Sequence, residues 1–100
     1  MSEQEIIKRA VYKFGPQSQE VKTIEELSEL SQAICKVIDA QKVGSMNNLI
    51  DCMSHMYEEI ADVEIMLAQI REIFSDADSE IRTWRSKKLQ RLAIRMGVRR

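Results

Sequence analysis

Residues 18–41 read SQEVKTIEELSELSQAICKVIDAQ. Ile24, Leu27, Leu30, Ile34, Val37 and Ile38 recur there at three- and four-residue steps, the signature of one apolar face on an α-helix. The same period organises the rest of the chain. Ser2 and Glu5 form a capping box ahead of a first helix whose face is Ile6, Ile7, Ala10, Val11 and Phe14. Gly15-Pro16 ends that helix. Lys42-Val43-Gly44-Ser45 breaks the second helix, which is predicted over residues 18–41. A third is predicted over 46–74, with Leu49, Met53, Met56, Ile60, Val63, Leu67, Ile70 and Phe74 on one stripe. Ile50 and Tyr57 widen that arc, so burial on more than one side is expected. Ser75-Asp76-Ala77-Asp78 offers N-cap residues for a fourth helix, which carries Ile81, Trp84, Leu89, Leu92 and Met96 and stops at Gly97. No segment alternates long enough to be a strand. The expected fold is all-α: one domain over residues 1–100, a four-helix bundle completed by oligomerisation.

Bulk properties agree. Three Gly and one Pro in 100 residues leave long helices few interruptions, and 44% hydrophobic with 31% charged residues is a globular balance. A net charge of −1 gives no bulk reason to expect nucleic acid or a membrane. The charge is uneven, however: residues 81–100 hold eight Lys or Arg and no acid. That segment reads either as a solvated basic tail or as a phosphate-binding element. Cys35 and Cys52 form no C-x-x-C pair and read as buried thiols in a reducing compartment. MSEQEIIKRA lacks an apolar signal core, and no apolar run nears the roughly 18 residues a bilayer span needs. A cytoplasmic protein is expected.

The informative residues are acids on apolar arcs. Glu26 and Glu29 lie about 60° apart on one helix face, and Glu26 borders the stripe of Leu30, Ile34 and Val37. Glu59 and Asp62 repeat the spacing on the third helix. Glu59 points between Met66 and Ile70. Buried carboxylates are costly unless paired or bound to metal. An oxygen-only set suits a hard cation such as Mg2+. Each acid alone is ordinary; the matched pairs on two helices that can pack antiparallel are not. Glu58 faces away from the stripe, and Glu64 lies at its other edge.

Ile24-Glu25-Glu26-Leu27-Ser28-Glu29-Leu30 resembles the EExxE motif of the MazG-like all-alpha NTP pyrophosphohydrolases. Glu58-Glu59-Ile60-Ala61-Asp62-Val63 resembles their ExxD motif. Phe14-Gly15-Pro16-Gln17-Ser18-Gln19 is similar to the lead-in of small members, and Lys88-Leu89-Gln90-Arg91 to a basic K-x-x-R element. The stretch between the acidic motifs, residues 30–58, is at the long end for the family. The resemblance implies Mg2+, with Mn2+ as a substitute, on Glu26, Glu29, Glu59 and Asp62. It implies cleavage of a nucleoside triphosphate between its α- and β-phosphates. Glu25 and Glu26 would be the catalytic acids, Glu25 orienting water. Lys36, Lys88 and Arg91 would meet phosphate, and Gln19 the base. His55 precedes Glu59 by four residues on the same side of the helix; it could join the site, but reads first as a hydrogen-bonded helix histidine. Trp84 and Tyr12 could stack on a base, but helix-spaced aromatics read first as core or interface residues.

Three rivals stand beside that reading. A non-catalytic helical interaction module explains the amphipathic helices but not the acids on apolar arcs. A di-iron bundle needs Glu-x-x-His pairs, and here Glu29 leads to Gln32 and Glu59 to Asp62. A nucleic-acid binder is opposed by the near-neutral total charge. A homodimer or homotetramer is expected, because the third helix has more apolar surface than one small bundle covers.

Overall fold

The computed structural model describes residues 1–99 and contains four helices. Helix α1 is Glu3–Phe14, and the Ser2 hydroxyl caps it by accepting from the Glu5 amide. Gly15 takes φ +92, and Pro16 occupies the first turn of α2, Pro16–Val43, where a missing N–H costs nothing. The Gly-Pro pair therefore closes one helix and opens the next, which starts α2 two residues earlier than periodicity suggests. Gly44 is left-handed, and its N–H returns to the Ala40 carbonyl. Ser45 then caps α3, Met46–Ile73, through the Asn48 amide. With only Gly44 and Ser45 between them, α2 and α3 form an antiparallel hairpin of two 28-residue arms. Each arm is about 42 Å long at 1.5 Å per residue. Phe74, predicted inside α3, is its extended C-cap. The last helix, α4, is Ala77–Arg95. Its N-cap Asp76 makes no side-chain capping bond; instead the Ser79 hydroxyl donates to the Asp76 carbonyl.

The buried face of α2 is Gln19, Thr23, Glu26, Ala33, Val37 and Ala40, and that of α3 is Glu59, Val63, Met66 and Gln69. Ala33 and Ala40 are almost fully enclosed. Small side chains at those positions let the two backbones approach closely. The seam is partly polar: the Gln19 amide donates to Gln69 Oε1 at 2.7 Å, and Thr23 Oγ1 donates to the Gln19 carbonyl at 2.8 Å. Ile7 and Val11 are the residues α1 buries. Ile6 and Phe14, expected beside them, are exposed.

This seam corrects the apolar face read from sequence. Of that stripe on α2 only Val37 is fully buried; Ile24, Leu27, Ile34 and Ile38 are exposed and Leu30 is half-buried. The aliphatic stripe lies about 100° around α2 from the seam. On α3, Leu49, Met53, Ile60, Leu67 and Phe74 flank the seam by about the same angle in the same rotational sense. In an antiparallel pair those two flanks fall on one side of the hairpin. Helix α1 takes the opposite side, against Ala61, Ile65 and Ala68. The thiols are likewise misplaced by the sequence reading: Cys35 is exposed and Cys52 half-buried, because both point off the seam.

Helix α4 buries no residue and packs on α3 alone, near the turn, where Arg71 Nη1 meets Asp78 Oδ1 at 3.0 Å. It does not close a four-helix bundle within one chain. The radius of gyration is 17.1 Å, against about 13 Å for a compact chain of this length. Among the described residues there is no strand, and no helix is long and apolar enough to cross a membrane.

Candidate metal centre

The hairpin seam carries its acids from opposite directions. Glu26 and Glu29 are one turn apart on α2, and Glu59 faces them from α3. One carboxylate oxygen from each lies within 4.8 Å of the other two. Glu26 and Glu59 are each 7% exposed, whereas Glu29 sits at the open edge. The Glu26 and Glu59 side chains each leave Oε2 buried without a hydrogen-bond partner. Leaving a buried acceptor unsatisfied costs about 1–3 kcal/mol, more for a charged group. Two such atoms in one seam would be satisfied by a cation placed between them.

The cluster's other oxygens have weak partners. Lys22 Nζ is 3.3 Å from Glu26 Oε1 and 3.8 Å from Glu25 Oε2. His55 Nε2 is 3.7 Å from Glu59 Oε1, beyond hydrogen-bond length. The neighbouring charge of Glu26 raises the Glu29 carboxyl above the usual carboxylate range. Desolvation, the charge of Glu59 and a hydrogen bond with Glu26 add to that rise, and Lys22 opposes it. The Lys22 ammonium is held charged to higher pH, chiefly by its hydrogen bond to Glu26.

A cation fits this arrangement. Hard divalent ions bind oxygen at about 2.0–2.6 Å, so two donors on one ion lie at most about 4–5 Å apart. The three oxygens already meet that limit, the set is all carboxylate, and Glu26 and Glu59 each keep one buried oxygen without a hydrogen-bond partner.

The other predicted site residues fall elsewhere. Asp62 is half-buried one turn beyond Glu59 and outside the three-way cluster. Glu25 is exposed at the rim, held by Lys22. Lys36 lies about 10 Å along α2 from Glu29, in a separate hollow with Asp39 and Asn48. Gln19 is buried with its amide committed to Gln69 rather than free for a base, though it also borders a hollow beside Lys22 and Glu25. Lys88 and Arg91 are exposed on α4, which touches neither α1 nor α2, so a single chain does not bring them to the cluster. Trp84 is half exposed beneath Lys87, whose Nζ is 5.0 Å from the ring centre, and Tyr12 is 92% exposed. Sequence reasoning missed Lys22. Its signal was present, since a lysine four residues before Glu26 shares its helix face.

A hollow of about 430 Å³ lies between α1 and the end of α3, lined by Gln4, Lys8, Arg71, Glu72 and Asp78 among others. It is a polar surface groove in which Gln4 is paired with Glu72 and Arg71 with Asp78. The chain matches no protein-family model, and no curated protein or solved structure matches it.

Proposed function

We propose that this chain is a magnesium-dependent nucleoside triphosphate pyrophosphohydrolase that releases a nucleoside monophosphate and pyrophosphate. The observation that carries the reading is the convergence of Glu26, Glu29 and Glu59 on one seam with two buried oxygens unpartnered. The resemblance to the MazG-like motifs points the same way. Glu26, Glu29 and Glu59 would hold Mg2+ or Mn2+; Asp62, one turn beyond Glu59 and outside the three-way cluster, would have to swing toward the ion to serve as a fourth donor. Bound there, the ion neutralises phosphate charge and acidifies water. Glu25, exposed at the rim, is suited to accept a proton from attacking water, and the buried Glu26 and Glu59 hold fixed positions on two packed helices. A housecleaning role in the cytoplasmic nucleotide pool fits such an activity.

The reading includes a homo-oligomer. A compact chain of 11.6 kDa exposes roughly 5,800 Å²; this one exposes 7901 Å². The excess of roughly 2,000 Å² matches the half-share of an obligate interface. Charge is complementary too. Residues 1–76 hold seven Lys or Arg against fourteen Asp or Glu, net −7, and residues 77–100 hold eight against two, net +6. A second copy can therefore bring the basic α4, with Lys88 and Arg91, to the acidic body of the first.

The test is a panel of nucleoside triphosphates with Mg2+, monophosphate and pyrophosphate being quantified separately. Equimolar monophosphate and pyrophosphate from at least one substrate is the expected result. Orthophosphate as the sole direct product overturns the reaction type. No hydrolysis of any triphosphate leaves the interaction module as the better reading.

A further inference from the structure

Three carboxylates share the seam, yet one ammonium serves them. Lys22 reaches Glu26 Oε1 at 3.3 Å and leaves Oε2 of the same carboxylate bare. A lysine four residues before a glutamate is the weaker order of that pair, so helix stability alone gains little from holding Lys22 on Glu26. Lys22 is also free to move: its side chain is half exposed on a four-carbon stem, and Glu25 Oε2 at 3.8 Å offers a second resting place nearer solvent. Beside it opens a hollow of about 340 Å³ lined by Ser18, Gln19, Val21, Lys22 and Glu25.

We propose that Lys22 is the resident countercharge of the Glu26–Glu29–Glu59 cluster, displaced when a divalent cation binds and thereby freed to grip the substrate's phosphate oxygens. The proposal rests on the metal-centre reading above. An ammonium on Oε1 and a dication on Oε2 of Glu26 repel each other, which favours release of the half-exposed Lys22 when the ion binds. Lys22 has the exposed route and the flexible stem, and its exit points it at the mouth where an anionic substrate arrives. The resting pair would thus limit the charge of the seam in the metal-free protein and hand a cation to the ligand only after metal is bound.

This makes two predictions of opposite sign for one substitution. Lys22→Met keeps the stem and removes the charge. Calorimetric titration with Mn2+ alone should show the variant binding the metal on the order of ten-fold tighter than wild type, since a competing charge about 5 Å away is gone. Titration of the Mn2+-saturated protein with inorganic triphosphate should show binding weaker by on the order of ten-fold. Lys22→Arg should restore triphosphate binding. Lys42→Met, at the far end of α2, should change neither. A merely structural lysine would weaken both or neither. Unchanged or weaker Mn2+ binding in Lys22→Met overturns the proposal, as does unchanged triphosphate binding. If wild type itself binds no divalent cation, the metal-centre reading fails and this inference falls with it. If wild type binds and the variants are indifferent, only this inference falls.

Discussion

Glu29 is the cluster member whose charge is most easily read. Its carboxyl is raised chiefly by the charge of Glu26, then by desolvation and by Glu59 across the seam, with Lys22 opposing. The folded chain therefore holds that proton at a pH where the unfolded chain has lost it. Between those two points the native state binds more protons, so stability falls as pH rises through the carboxylate range. In chelator, with Lys22, His55, Glu26 and Glu59 unchanged, Glu29→Gln should flatten that fall in a series of melting temperatures against pH. An identical slope in wild type and variant contradicts it. At this scale the sequence was informative in part: Glu26, Glu29 and Glu59 were legible from their spacing on two helices, and the seam brings them together, although the stripe that Glu26 was read beside is not the buried face. Asp62 was not so separable, because a three-residue spacing gives a shared direction but not the depth each side chain reaches. Lys88 and Arg91 were legible as basic residues on a helix. Their distance from the acids depends on where that helix packs, which no local spacing encodes.

The helices themselves were read from caps and breakers, and these acted locally as expected: Ser2, Gly15-Pro16, Gly44 and Ser45 each mark an end. The buried face of α2 was not read, for a physical reason. The strongest aliphatic stripe, Ile24-Leu27-Ile34-Ile38, is not the seam, and the seam is built from small and polar residues that carry little hydrophobic signal. Ala33, 1% exposed, marks where the two backbones close on each other. Ala33→Leu should overpack that point and cost about 1–3 kcal/mol, with the helices of the hairpin prised apart at the acid cluster. Urea unfolding with unchanged slope and a lower midpoint is the expected record; an unaltered midpoint means the seam is looser than described. Replacing exposed Ile24 by Ala should cost far less.

Across the whole molecule, one side of the hairpin is covered by α1 and the other presents aliphatic stripes from both arms, while α4 stands clear. In the proposed assembly a second copy of the chain would cover this open apolar surface. Light scattering should give a dimer or tetramer at micromolar concentration. Ile34→Asp, on the uncovered side, should shift the mass toward monomer; a monomeric wild type contradicts the assembly. The central claim, that the seam is a divalent-cation site, is tested most directly by thermal unfolding with and without Mg2+. Ligand at about 100 times its dissociation constant stabilises the native state by about 2.7 kcal/mol, and in a domain this size about 1 kcal/mol moves the melting temperature by roughly 4–8 °C. Wild type should therefore melt several degrees higher in saturating Mg2+ than in Na+ at matched ionic strength. Glu59→Gln should melt no lower than wild type in chelator and gain little from Mg2+, while Glu58→Gln, on the solvent side of the same helix, should behave as wild type does. Equal responses of wild type and Glu59→Gln to saturating Mg2+ would contradict the account.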